Sequence, residues 1–322
     1  MSSSTRFHGT FIFPETAIHH YGTLHVNNGR IVSFEAKDAS LPTPKVQASS
    51  NDIFLEGYVT PGLTDAHVHL CMDGSARPES CLQQGMVHLV ATGLHSLKRQ
   101  LAAGITTVRD LGSPHNLAID LATAVNNGVV RGPNIVSCGH NITMTGGHGH
   151  NFGREADGVD GVRWAAREEL KQGAQVLKFM ATGGVITKGV QAGAEAYTEA
   201  EMRAGSHEAH KKGKHTAAHA QGLTGILNAL RAGIDTIEHG AFDHWNDESL
   251  DLLRTRFLVP TLAAPEGIVT GGSEIPEWIV AKTSPIVDAH RSNIHEAWQA
   301  DVPIVAGSDA GTPMNPHGRL IR

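Results

Sequence analysis

The sequence predicts an α/β chain: a (β/α)8 barrel of the TIM type over residues 57–322, preceded by a small β-sandwich-like domain over residues 1–56. Three observations predict it. From Val59 onward, eight short apolar runs alternate with seven helix-length segments. Several of those segments end in a glycine suited to a left-handed helix stop. Residues 8–35, in contrast, read as short strands folded on a tight turn.

The elements follow in order. Thr23-Leu24-His25-Val26 and Arg30-Ile31-Val32-Ser33-Phe34 flank Asn27-Asn28-Gly29, and Asn-Gly is a strong hairpin signal because both turn positions need a positive φ. Residues 36–52 are polar, carry Pro42 and Pro44, and read as a connection. The barrel strands are expected at 59–66, 105–110, 134–138, 175–180, 215–219, 235–239, 257–262 and 303–307. Between them, helices are expected at 82–102, 116–127, 158–172, 198–212, 223–232, 246–255 and 276–300, with Gly104, Gly128, Gly173, Gly213 and Gly233 as stops. Only Gly311 to Arg322 remain after the eighth strand, too few for a closing helix. The expectation is a fragment lacking the last helix and the return strands of the small β domain.

Composition narrows the function. Lys and Arg total 26 against 32 Asp and Glu, a net charge of −6 without long single-sign runs, which argues against nucleic acid or an anionic membrane as partner. Cys71, Cys81 and Cys138 form no C-x-x-C pair, so neither a disulfide scaffold nor a thiolate zinc cluster is expected. The N-terminus leads into no apolar h-region, and no apolar run approaches membrane-spanning length. The expected location is the cytoplasm.

Polar side chains then fall at the predicted strand ends, which in this architecture share one mouth. Asp65-Ala66-His67-Val68-His69 ends the first barrel strand; side chains two apart share a face, so His67 and His69 can reach one ion. Lys178 interrupts the apolar run Val176-Leu177-Lys178-Phe179-Met180, where an ammonium is costly unless it has a task. His219 ends the fifth strand, His239 the sixth, and Asp309 follows the eighth. Arg109 and Asp110, ending the second, read as a pair at the mouth. The Gly-rich segment 184–197 reads as a flexible cover.

This order of residues resembles the amidohydrolase superfamily in its binuclear-metal form. Val59-Thr60-Pro61-Gly62-Leu63-Thr64-Asp65-Ala66-His67-Val68-His69 is similar to that family's opening signature. Ile142-Thr143-Met144-Thr145-Gly146-Gly147-His148-Gly149, Met180-Ala181-Thr182-Gly183-Gly184, Ile237-Glu238-His239-Gly240 and Gly307-Ser308-Asp309-Ala310-Gly311 resemble the imidazolonepropionase-related, prolidase-like branch. The resemblance implies two divalent metal ions, zinc first with manganese or cobalt as options, bridged by a carbamate on Lys178. His67, His69 and Asp309 would hold one ion; His219 and His239 would hold the other. It implies hydrolysis of an amide bond by a metal-bridged hydroxide, with Asp309 moving the proton and His140 polarising the carbonyl. His148, Arg154 and Tyr197 are candidate substrate contacts. The implied substrate is a small amide: an Xaa-Pro-like dipeptide or an N-acyl amino acid, handled by a homo-oligomer. Alternatives on the same barrel are a mononuclear-metal deaminase, a cyclic-amide hydrolase and a non-catalytic scaffold paralogue. The deaminase would need a glutamate three residues after His219, where this chain has Gly222.

Overall fold

The computed structural model describes residues 4–15, 18–37, 50–77 and 79–320. The chain divides into two compact units, Met1–Gly62 and Leu63–Arg322.

The first unit is a four-stranded sheet. Strands β1 (Ser4–Phe13), β2 (Ile18–Asn27), β3 (Arg30–Ala36) and β4 (Asp52–Val59) lie in the order β3-β2-β1-β4. The β2–β3 hairpin turns on Asn28 and Gly29, both at positive φ (48° and 74°), as expected for Asn-Gly. Pairing of β4 with β1 is parallel, and buried His8 helps fix it by bonding Thr23 Oγ1 at 3.0 Å and Asp52 Oδ1 at 2.9 Å. The run placed at the start of the barrel thus splits: residues through Val59 belong to this sheet, and the next strand opens at Leu63. Most of the expected connection 36–52 lies outside the described residues.

The second unit alternates strand and helix. Its strands are β5 (Leu63–Val68), β6 (Ile105–Asp110), β7 (Asn134–Ser137), β8 (Ile142–Thr143), β9 (Arg154–Glu155), β10 (Val176–Met180), β11 (His215–Ala220), β12 (Thr236–His239) and β13 (Phe257–Val259). They form two parallel sheets, β5-β6-β7 and β13-β12-β11-β10-β8-β9. The helices are α1 (Glu79–Leu82), α2 (Met86–Ala102), α3 (Leu117–Asn126), α4 (Gly158–Gln172), α5 (Glu199–His210), α6 (Leu223–Arg231), α7 (Asp247–Leu253), α8 (Ala263–Thr270), α9 (Glu277–Thr283) and α10 (Val287–Gln299). The expected stops Gly104, Gly128, Gly173, Gly213 and Gly233 all take positive φ. Helix α2 buries Leu89, Gly93, Ser96, Leu97 and Gln100, one stripe at helical spacing. Helix α5 opens on a capping box in which Thr198 and Glu201 satisfy each other's backbone N–H.

Strand β10 is buried throughout, so its two faces meet different surroundings. Leu177 and Phe179 join the large cluster packed against the helices, whereas Val176 packs with Leu111, Cys138 and Ala217 on the opposite side. Strand alternation sends Lys178 to that opposite side.

Three sequence expectations change. Residues 303–307 are not a strand among the described residues. The segment 303–310 instead bridges singly from Ile304 to Leu258 and from Ala310 to Val68, with Asp309 N donating to His67 O at 2.8 Å. Pro303 has no N–H to offer, and Gly307 passes so close to Val259 and His67 that a Cβ would lie 2.4 Å from the valine methyl. The expected helix 276–300 breaks into α9 and α10 at Ser284-Pro285, where proline opens a new turn. Helix α8 arises where no helix was expected, and it supplies one wall of the site.

Candidate metal centre

Strands β5, β10, β11 and β12 and the segment after residue 303 bring His67, His69, Lys178, His219, His239 and Asp309 around one cavity of about 50 Å3. All six side chains are buried. The imidazole centroids of His67 lie 5.4 Å from His69 and 5.1 Å from His239, and those of His219 and His239 are 4.6 Å apart. Asp309 Oδ1 stands 3.4 Å from Nε2 of both His67 and His69. It is buried and accepts no hydrogen bond.

Hydrogen bonds behind the rings decide which nitrogen faces the cavity. Nδ1 of His69 is 2.9 Å from the Gly112 carbonyl, which can only accept, so Nδ1 carries a proton and Nε2 is the nitrogen that faces Asp309. Nδ1 of His67 donates in the same way to Glu238 Oε2 at 2.8 Å. His219 donates Nε2–H to Gly183 O at 3.3 Å, which leaves Nδ1 with the lone pair. Nδ1 of His239 is 2.7 Å from Thr261 Oγ1. Glu238 is itself held by Arg109 Nη2 at 2.8 Å and by the Thr236 hydroxyl at 2.5 Å. This is the carboxylate–histidine arrangement that fixes tautomer and raises the basicity of a ligand ring.

Charge balance follows from burial. Desolvation pushes the pKa values of His67, His219 and His239 well below the ordinary histidine value, so these rings are neutral and able to donate a lone pair. At His69, burial is outweighed by the carboxylates of Asp309 and Asp110, and its pKa rises. Burial raises Asp309, but His67, His69 and Lys178 outweigh it and hold the carboxyl below its usual range. Burial also lowers Lys178 to about 8 against the pull of Glu238 and Asp309. Among the described residues its Nζ makes no hydrogen bond.

A divalent ion fits this arrangement. Ligand atoms of His67, His239 and Asp309 lie within 4.8 Å of one another. The three form a compact nitrogen and oxygen donor set, and Asp309 Oδ1 accepts no hydrogen bond. Among the described residues no thiolate takes part: Cys71 and Cys138 are buried off the cavity, with Sγ near the carbonyls of Gly112 and Gly139, and burial raises the Cys138 thiol well above its usual value.

The remaining sequence candidates divide. His148 lines the cavity, its ring centroid 4.4 Å from that of His219 and its Nδ1 2.8 Å from Thr187 Oγ1. Burial lowers it to about 3, and Gly184 sits so close that a Cβ there would meet the ring at 2.5 Å. His140, Arg154 and Tyr197 do not line the cavity. His140 and Arg154 both lean on buried Glu169, at 3.4 Å and 2.5 Å. Tyr197 is fully buried among helix-facing side chains and donates its hydroxyl to Ala156 O at 2.5 Å. Residues 184–197 do reach the cavity through Val185 and Ile186. They are fastened there: Lys282 donates to Thr187 O and Val190 O at 2.7 and 2.5 Å. Arg109 does not pair with Asp110, which accepts instead from Leu70 N, Gly112 N and Ser113 Oγ.

Sequence reasoning passed over Glu238, Thr261, Gln221 and His290. Glu238 had a usable signal, since it is a carboxylate next to His239 inside one predicted strand, Thr236-Ile237-Glu238-His239. The other three gave none.

Comparison with known proteins agrees with the geometry. Residues 58–321 match the Amidohydrolase family model. The ochratoxinase of Aspergillus niger is 26% identical, over 88% of this chain; this chain spans 64% of that protein's length. Two solved structures are similar. A Xaa-Pro dipeptidase with bound methionine in its active site has a TM-score of 0.88 and 26% identity, covering 99% of this chain and 82% of its own. A prolidase complexed with N-methylphosphonate-L-proline has a TM-score of 0.85 and 29% identity, covering 97% and 80%. Among the described residues, no helix is long and apolar enough to cross a membrane. With the histidine–aspartate cluster at its strand ends and a family match covering most of its length, the chain belongs to the amidohydrolase family.

Proposed function

We propose that this chain is a metal-dependent hydrolase of amide bonds whose parallel strands form a (β/α)8 barrel around a two-ion site. The observation that carries the reading is the buried Asp309 Oδ1, which accepts no hydrogen bond yet stands 3.4 Å from Nε2 of both His67 and His69. In this reading His67, His69 and Asp309 would hold one divalent ion and His219 and His239 the other, with zinc as the metal. Lys178, as a carbamate, would supply oxygen donors to both. A lysine lowered to about 8 has a much larger neutral fraction near neutral pH than an ordinary lysine, and the neutral amine is the form that adds carbon dioxide.

Bound divalent ions supply Lewis-acid activation of a water and of the amide carbonyl. The chain's own groups do the rest. Asp309 accepts a proton from the attacking water and returns it to the departing nitrogen, so an amide and one water become an acid and an amine. Glu238 and the Gly112 carbonyl keep the His67 and His69 protons on Nδ1. Phe152, Met180, Val185, Ile186 and Ile268 line the cavity and exclude bulk water. The similar structures that bind methionine and a proline phosphonate support dipeptide-like or N-acyl amino acid amides as the substrate class.

The one-metal deaminase reading loses support at Gly222. A Cβ there would lie 2.2 Å from the Gly193 carbonyl, so the backbone leaves no room for the glutamate that chemistry would use.

The test is elemental analysis of protein grown with bicarbonate, together with turnover of dipeptides and N-acyl amino acids. About two ions per chain are expected, and Lys178→Ala should lose metal and turnover together. Unchanged turnover in that variant would refute the bridge. A metal-free chain that still cleaves amides would refute the whole reading.

A further inference from the structure

We infer that Asn315 is a positioning residue for Asp309: its side-chain amide clamps the two carbonyls on either side of the Asp309 Cα and so sets where the carboxylate stands. This rests on the two-ion reading of the same site and adds the group that aims one of its proposed ligands.

Asp309 needs such a hold. Among the described residues it lies in no helix or strand, and the segment 303–310 makes only single bridges to its neighbours. Its φ is 56°, in the left-handed region, where Cβ crowds the following carbonyl oxygen; aspartate tolerates this better than most residues, but at a cost. Relaxation of φ to the ordinary negative range would swing Cβ, and Oδ1 with it, from its place 3.4 Å from Nε2 of His67 and of His69. Asp309 Oδ1 accepts no hydrogen bond, so the backbone is what places it. A ligand set works only when its groups are held within about 0.5 Å of the productive geometry.

Asn315 supplies the hold. It is buried, and its Nδ2 donates to Ser308 O at 2.7 Å and to Asp309 O at 3.0 Å. Both partners are carbonyls, which only accept, so the NH2 end of the amide must face them. In an extended strand successive carbonyls point to opposite sides, so one amide reaches both only where the chain has turned, as it has at Asp309. Further bonds complete the frame. Asp309 N donates to His67 O at 2.8 Å, and the Thr312 hydroxyl donates to Asp309 O at 2.7 Å. Asp65 accepts from Ser308 N at 2.9 Å and from the Ser308 hydroxyl at 2.5 Å. Asn315 is itself fixed, its carbonyl accepting from Gly311 N at 2.8 Å and its N–H donating to Thr312 O at 3.0 Å.

The test is binding of Co2+ alone to the full chain, read by chelator competition and by the visible bands of the bound ion, which report its ligands. Asn315→Leu keeps the branching of asparagine and removes both donors. It should weaken Co2+ about 10–100-fold and change the bands, with the near-ultraviolet circular dichroism of the metal-free chain unchanged. Thr312→Val removes one bond to Asp309 O and should weaken Co2+ about three- to tenfold. In an Asp309→Ala background, Asn315→Leu should cost less than about threefold, because the group it aims is gone. Wild-type affinity and bands in a folded Asn315→Leu chain would overturn the inference, and so would an equal loss with and without Asp309. If Asn315→Leu does not fold, Thr312→Val decides, and unchanged Co2+ affinity there overturns it. A wild-type chain that binds no Co2+ removes the two-ion reading and this one together; ion binding indifferent to both variants removes only this one.

Discussion

Replacing Glu238 with glutamine tests whether the site depends on a carboxylate behind His67. Glu238 is fully buried and accepts from His67 Nδ1 at 2.8 Å, from Arg109 Nη2 at 2.8 Å and from the Thr236 hydroxyl at 2.5 Å. Glutamine has nearly the same shape, but one end of its amide is a donor facing donors. If the NH2 end turns to Arg109, a buried guanidinium loses its charge partner. If it turns to His67, it forces the proton from Nδ1 to Nε2 and removes the lone pair aimed at Asp309. Arg109 keeps two bonds, to Ala66 O and Thr236 Oγ1, so the loss is partial. Losing one bond to a charged group costs about 1.5–3 kcal/mol, and fully breaking a buried pair about 3–5, which places the expected loss of stability at about 3 kcal/mol. Loss of the carboxylate behind a ligand histidine lowers metal affinity about 10–100-fold. Urea unfolding of the metal-free chain reads the first effect, and chelator competition reads the second. Metal affinity within twofold of wild type, alongside the stability loss, would show that Glu238 serves Arg109 alone and would refute the histidine-orienting argument.

Two further changes test placement and electrostatics. Tyr197→Phe should cost about 1 kcal/mol in urea unfolding, the value of its bond to Ala156 O, and leave KM unchanged; a raised KM would return Tyr197 to the substrate. Burial raises the Asp65 carboxyl to about 6 from 3.8, against the opposing bonds from Ser308 and the His67 amide. The folded chain thus holds that proton more tightly than the unfolded one, so stability falls as pH rises from about 4 through 6 and then levels off. Asp65→Asn cannot titrate, and its stability relative to wild type should improve by about 3 kcal/mol across that window in urea midpoints. A pH-independent difference would show that Asp65 is charged throughout.

Much of the architecture was legible because it is written in near neighbours. The hairpin at Asn28-Gly29, the glycine stops and the strands at 105–110 and 176–180 each depend on residues within one turn or one strand, where periodicity and φ preference act directly. Residues 303–310 failed that reading. Their apolar character comes from lying between β5 and β13, yet Pro303 and the close pass at Gly307 limit them to single bridges. The break in the expected helix 276–300 had a signal in Pro285, and length of pattern outweighed it.

The sequence by itself determined that His67 and His69 share a strand face, that Lys178 is an anomaly in an apolar strand, and that histidines and an aspartate recur at strand ends. Spacing along one strand and the cost of a buried charge suffice for those conclusions. Only the tertiary structure decided the partners: Glu238 behind His67, 171 positions away, and Arg109 behind Glu238, 129 away. It also decided that Tyr197 serves the core, donating to Ala156 O. A hydrogen bond at 2.8 Å depends on strand register and on which distant segments approach, and no local period in the chain records either.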